Sequence, residues 1–314
     1  DALRARRSPL WMVFAPLAVD ATPEAMHRVV QELRDALPAR RFDELGVAMT
    51  VLADADARKR GLRAPIAALL PKELIMQSWV YKQGEEKGLE LIHEHNLAIS
   101  SLQWIGGFTG SDGRSFRDSM YDALDAIQLA ADMEAETVVV LAGGRGGHTK
   151  NHANRILRLA LKELSEAAQA VGVQLALEPM HVGCAHDWSF LNTIPQCLEI
   201  IAAIGNPNLG IVFDCYHLAQ DLLSPSWIES IVPYVRLVQL GDSKHAPMGE
   251  QNRCLLGHGC VRLADIVSIF QGSGYAGFYE IEIIGREVEH MGYEQILGAA
   301  RMVTDDWQLA SDGV

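Results

Sequence analysis

The chain has no C-x-x-C pair, and its five cysteines (Cys184, Cys197, Cys215, Cys254 and Cys260) are odd in number. This argues against a disulfide framework and a zinc ribbon, and it points to a reducing cytoplasm. Positive charge is scarce: 27 Lys and Arg stand against 40 Asp and Glu, giving a net charge of −13. Such a surface repels polyanions, so a nucleic-acid partner is not expected. Pro-rich linkers, low-complexity blocks and short-period repeats are absent. So is any apolar run of the roughly 20 residues that cross a bilayer, which leaves no membrane partner in view. Arg4-Ala-Arg-Arg7 followed by the uncharged residues 8–19 imitates a secretory signal. That short run reads better as a buried first strand behind a solvated basic tail.

What is present suits one large domain. The 314 residues are 49% hydrophobic and 21% charged, enough for an α/β barrel of about 250 residues plus extensions. From the middle onward, runs rich in Val, Ile and Leu (97–103, 137–142, 173–178, 209–214, 235–241, 278–284) alternate with helix-period stretches (119–134, 154–171, 194–204, 225–231, 263–272). That alternation predicts parallel strands with crossover helices. Gly172, Gly205 and Gly274 stand where helix C-caps belong. Earlier, 11–15, 47–52 and 74–80 are all strand candidates, one too many for a (β/α)8 barrel. Residues 1–45 are therefore read as an irregular N-terminal extension and 46–314 as the barrel.

In such a barrel the chemistry sits at the C-terminal ends of the strands. Four strand candidates close on polar groups: Glu178, Asp214, Gln239 with Asp242, and Glu280 with Glu282. Each carboxylate alone also reads as a solvated terminus or a helix cap. Together on one rim they repel one another and lose hydration, which a bound cation would offset. Carboxylates and an amide carbonyl suit Mn²⁺, Mg²⁺ or Co²⁺ and also admit Zn²⁺.

The segments Leu177-Glu178-Pro179, Val212-Phe-Asp214-Cys-Tyr-His217, Val238-Gln239-Leu-Gly-Asp242 and Gly274-Tyr-Ala-Gly-Phe-Tyr-Glu-Ile-Glu282 carry a resemblance. They are similar to the xylose-isomerase-like TIM barrel superfamily, and most to its hydroxypyruvate isomerases, ketose 3-epimerases and inosose dehydratases. The resemblance implies one divalent metal held by Glu178, Asp214, Gln239 and Glu282. It also implies that Glu178 and Glu282 are acid/base residues on opposite faces of a sugar. A metal bridging a carbonyl and its neighbouring hydroxyl acidifies the C–H between them and stabilises an enediolate, while carboxylates move the proton.

His217 falls where the family has a histidine bonded to substrate oxygen; a surface histidine on a first helical turn is the plainer alternative. His181, directly after Glu178-Pro-Met, is a further substrate contact by rim position. Arg253 reads as a sugar or phosphate contact or as an ordinary loop cation. His148 lies in a glycine-dense loop, 143–152, that lacks both the P-loop and the dinucleotide-fold order and so reads as a wall or lid. Trp104 and Phe108 read equally as sugar-stacking aromatics and as core. Glu280, one layer below Glu282, reads as a buried structural acid. The expected activity is isomerisation or epimerisation of a keto-sugar. A lyase or dehydratase would use the same residues, and a non-catalytic sugar-binding barrel and an apurinic endonuclease are weaker alternatives. Assembly into a homo-oligomer is left open.

Overall fold

The computed structural model describes residues 11–16, 47–50, 65–68, 97–185, 188–219, 224–248, 252–285, 287–288, 291 and 293–309. Six strands follow one another in parallel across a single sheet: β4 (Leu97–Gly106), β5 (Thr137–Leu141), β6 (Gln174–Leu177), β7 (Leu209–Asp214), β8 (Val235–Leu240) and β11 (Phe278–Ile281). Each stands where an apolar, β-branched-rich run was expected. The connecting helices α1 (Phe116–Asp132), α2 (Lys150–Ala170), α3 (Ile194–Ile204), α5 (Pro225–Ile231) and α6 (Leu263–Gly272) also match their periodic stretches. Left-handed glycines close three of them, Gly172 (φ 78°), Gly205 (φ 70°) and Gly274 (φ 78°). A single turn, α4 (Cys215–Leu218), follows β7; a small antiparallel ribbon of β9 (Asp242–Ser243) and β10 (Arg253–Cys254) follows β8; α7 (Tyr293–Leu309) comes last. Among the described residues no helix is long and apolar enough to cross a membrane.

The first strands depart from the expected pattern. β1 (Trp11–Pro16) runs antiparallel to β4 and parallel to β2 (Val47–Thr50), which pairs antiparallel with β3 (Pro65–Ala68). β3 was not foreseen, because a four-residue Pro-Ile-Ala-Ala run has little β propensity and opens on proline. The candidate strand at 74–80 lies outside the described residues, as does the basic segment at 4–7. β11 lies against β2 and β3, at the far end of the strand order, so the sheet curls on itself.

Alternation along each strand separates two cores. Val138, Val140, Leu175, Leu177, Ile211, Phe213, Val238, Leu240, Tyr279 and Ile281 pack outward with the helices. Val139, Ala176, Val212, Leu237 and Phe278, one from each of five strands, form a separate inner cluster against which Trp104 packs. Two hydrogen bonds cross this interior. Ser100 Oγ and Gln103 Nε2 of β4 donate to Glu280 of β11 at 2.6 and 3.2 Å, although the two strands are far apart in the sheet.

Candidate active site

The site is the next inward layer. Two residues beyond Ala176, Val212, Leu237 and Phe278 come Glu178, Asp214, Gln239 and Glu280, and two beyond Glu280 comes Glu282. Period-2 geometry puts all of them on the face of the inner cluster, nearer the C-terminal rim, with Glu282 a step beyond the others. Asp214 and Gln239 are register partners on adjacent strands, so their side chains stand side by side. Glu178, Asp214 and Gln239 are all buried.

A cluster forms around Asp214. Its Oδ1 accepts the Tyr216 N–H at 2.7 Å, which starts α4 and aims His217 back at the strands. Its Oδ2 accepts Arg253 Nη2 at 2.7 Å, and the same nitrogen lies 3.2 Å from Glu282 Oε1. His217 Nε2 sits 3.6 Å from both Glu178 Oε1 and Asp214 Oδ2. Glu178, Asp214 and His217 each present a potential ligand atom within 4.8 Å of the others. Three carboxyls against one guanidinium leave two negative charges when all are ionised, which a single divalent cation would cancel.

Protonation reflects that imbalance. Burial, then Glu282 and Asp214, hold the Glu178 carboxyl well above the usual range. Burial and Asp214 push Glu282 up to about 7, against the pull of Arg253. Burial drives His217 down to about 4, helped by Arg253 and His181 and opposed by Asp214. Burial alone would lower Arg253, but Glu282 and Asp214 outweigh it and keep the guanidinium charged.

Several buried polar atoms lack a hydrogen-bond partner among the described residues: both amide atoms of Gln239, Glu282 Oε2 and His217 Nε2. Unsatisfied groups at this depth cost about 1–3 kcal/mol each, so a cluster of them marks a place where a ligand completes the bonding. Oxygen donors from carboxylates and an amide, with an imidazole beside them, fit a divalent cation.

The other expected contacts are dispersed. Arg253 is fully inside the site, its guanidinium 4.1 Å above the Tyr216 ring. His181 lies close enough to oppose protonation of His217. Trp104 faces the interior, edge-on to Trp188 at 5.4 Å. Phe108 is 1% exposed within the outer core with Leu102, Ile105 and Met120. His148 lies beside His152, ring centroids 4.7 Å apart, at the start of α2.

Two contributors escaped sequence reasoning, and the role of a third was misread. Trp188 follows no strand and carried no signal. Cys184 lies 3.4 Å from His217 Nδ1, a contact that only the fold creates. Asp242 was counted with the rim acids, but its carboxylate is consumed by backbone: Oδ1 accepts from Ser243 and Val261 at 2.8 and 3.1 Å, and Oδ2 from Gly257 and Gly259 at 2.9 Å each. A Cβ on Gly259 would run into that carboxylate, so Gly257 and Gly259 were the available clue. Asp242 thereby folds the loop that delivers Arg253 on β10.

Known proteins share this framework. The profile of the Xylose isomerase-like TIM barrel family matches residues 65–303. An inosose isomerase of Halalkalibacterium halodurans is 31% identical over 148 residues, 46% of this chain and 51% of that protein. A ketose 3-epimerase of Arthrobacter globiformis is 26% identical over 152 residues, 48% of each chain. The chain thus spans about half the length of these two relatives. The crystal structure of IolI protein with a bound zinc atom superposes with a TM-score of 0.64 at 19% identity, covering 74% of this chain and 84% of that one. With a family match over most of its length and the parallel strands that the match requires, the chain belongs to the Xylose isomerase-like TIM barrel family.

Proposed function

We propose that the chain is a divalent-metal-dependent isomerase or epimerase that moves a proton beside the carbonyl of a keto-sugar. The observation that carries this reading is the cluster of Glu178, Asp214, Gln239 and Glu282, in which the buried Gln239 amide has no partner among the described residues. The relatives' names, inosose isomerase and ketose 3-epimerase, support the substrate class and reaction. The zinc in the IolI crystal structure supports a cation at this kind of centre; the donors here also suit Mn²⁺, Mg²⁺ or Co²⁺.

In this reading Glu178, Asp214, Gln239 and Glu282 hold the metal, with His217 within reach of the same point. The metal, when bound, polarises a carbonyl and acidifies the neighbouring C–H. One of Glu178 and Glu282 takes the proton and the other returns it. Both are raised in the cation-free site, and a divalent ion beside them favours their ionised, basic forms. Arg253, His217 and His181 bind substrate oxygens, and Trp104 with Trp188 forms an apolar wall. Among the described residues no disulfide joins the five cysteines, which supports a reducing compartment such as the cytoplasm.

The test is solvent-deuterium exchange into ketoses, inososes and 3-keto-glycosides with Mn²⁺ present, comparing the protein with Glu282→Gln. Exchange should drop by at least about a hundredfold in the variant. Equal exchange in both proteins would refute the assignment. Loss of water or aglycone from the substrate would instead identify a lyase.

A further inference from the structure

Both histidines at the site are wired to one tight turn. In His181-Val182-Gly183-Cys184 the Cys184 N–H donates to the His181 carbonyl at 3.0 Å. The Gly183 N–H donates to His181 Nδ1 at 3.0 Å. A backbone N–H can only donate, so His181 Nδ1 carries the lone pair and its proton sits on Nε2. The Cys184 thiol lies 3.4 Å from the His181 carbonyl oxygen and 3.4 Å from His217 Nδ1. A carbonyl can only accept, so the single thiol proton goes there, and His217 Nδ1–H donates to the sulfur. His217 Nε2, which has no hydrogen-bond partner among the described residues, then points a lone pair between Glu178 and Asp214. Gly183 is required for this packing, since a Cβ there would meet the Pro247 carbonyl.

We propose that this turn sets opposite tautomers on the two histidines, His181 as an Nε2–H donor and His217 as an Nε2 acceptor, with Cys184 as the positioning residue for His217. The pair therefore offers one donor and one acceptor to whatever enters the site: a cation or a hydroxyl proton at His217, an oxygen lone pair at His181. The consequence for metal and sugar rests on the function proposed above; the tautomers do not.

The experiment is a long-range ¹H–¹⁵N correlation of ¹⁵N-histidine-labelled, metal-free protein near neutral pH, with signals assigned by loss in His217→Gln and His181→Gln. His217 should show a protonated Nδ1 and a bare Nε2, and His181 the reverse. A proton on Nε2 of His217, or on Nδ1 of His181, overturns the proposal in the wild-type spectrum alone. Cys184→Ala should shift His217 toward the Nε2–H form, whereas Cys184→Ser, whose hydroxyl can accept, should keep the wild-type tautomer. An unchanged His217 in a folded Cys184→Ala also overturns it. Mn²⁺ titration followed by calorimetry should show about 10–100-fold weaker binding in Cys184→Ala, partly restored by Ser. If Mn²⁺ fails to bind the wild type, the metal reading falls, while the tautomers still stand or fall on the spectrum.

Discussion

Gln239 and Asp242 lie at the same end of β8, three residues apart, and neither exposes surface to solvent. Asp242 accepts four backbone N–H bonds from its own loop, whereas Gln239 has no partner for either amide atom among the described residues. The first is bonding capacity used up in folding, and it shapes the segment that carries Arg253. The second is bonding capacity the fold leaves open, at a cost to stability. The same contrast recurs between Glu280, held by Ser100 and Gln103 across the barrel, and Glu282, whose Oε2 has no partner among the described residues. At this rim the satisfied acids build the scaffold, and the unsatisfied groups gather at the centre where ligand is expected.

The contrast can be broken by substitution. Asp242→Ala strands four N–H groups around a buried hole and should cost roughly 4 kcal/mol in urea unfolding, the largest effect on stability. Gln239→Leu should do the opposite. Stability should hold or rise by about 1 kcal/mol, because an unpaired buried amide is removed. Mn²⁺ affinity, read by calorimetry, should fall at least about tenfold. If Gln239→Leu destabilises the protein as Asp242→Ala does, the amide is structural and the contrast fails.

A pH-dependent effect, graded rather than all-or-none, sharpens the contrast at Glu280. Burial raises Glu280 from an ordinary 4.5 to about 7, so the folded protein keeps this proton to higher pH than the unfolded chain. Its stabilising contribution is complete below about 4.5 and is lost as pH rises through about 7. Glu280→Gln should flatten the decline of stability across that window by up to about 1.4 kcal/mol per pH unit. Glu178 and Glu282, also raised, add slope of the same sign that the variant retains. An unchanged slope would mean that Glu280 is ionised throughout.

Much of this was legible beforehand. Each of the six parallel strands is a short apolar run bounded by helix-period sequence, and the polar residue closing it is visible at a glance. Parity did the rest, since Ala176 to Glu178 and Val212 to Asp214 are two-residue steps that cannot leave the inner face. The N-terminal strands were harder because Pro65-Ile-Ala-Ala68 carries no strand signal, and strand direction is not written in composition. The fate of Asp242 was misjudged because an acid at a strand end looks the same whether a cation or four N–H groups will meet it.

By itself, the sequence determined the alternation of strand and helix, the inner and outer faces, and which oxygen donors crowd the rim. These follow from periodicity, which is a local property. Only the tertiary structure decided partnership: Ser100 with Glu280, Arg253 with Asp214 and Glu282, Cys184 with His217. Those pairs are joined across the barrel or through loops 29 to 180 residues apart. Contact at such separation depends on how the sheet closes and the loops fold, which no local pattern encodes.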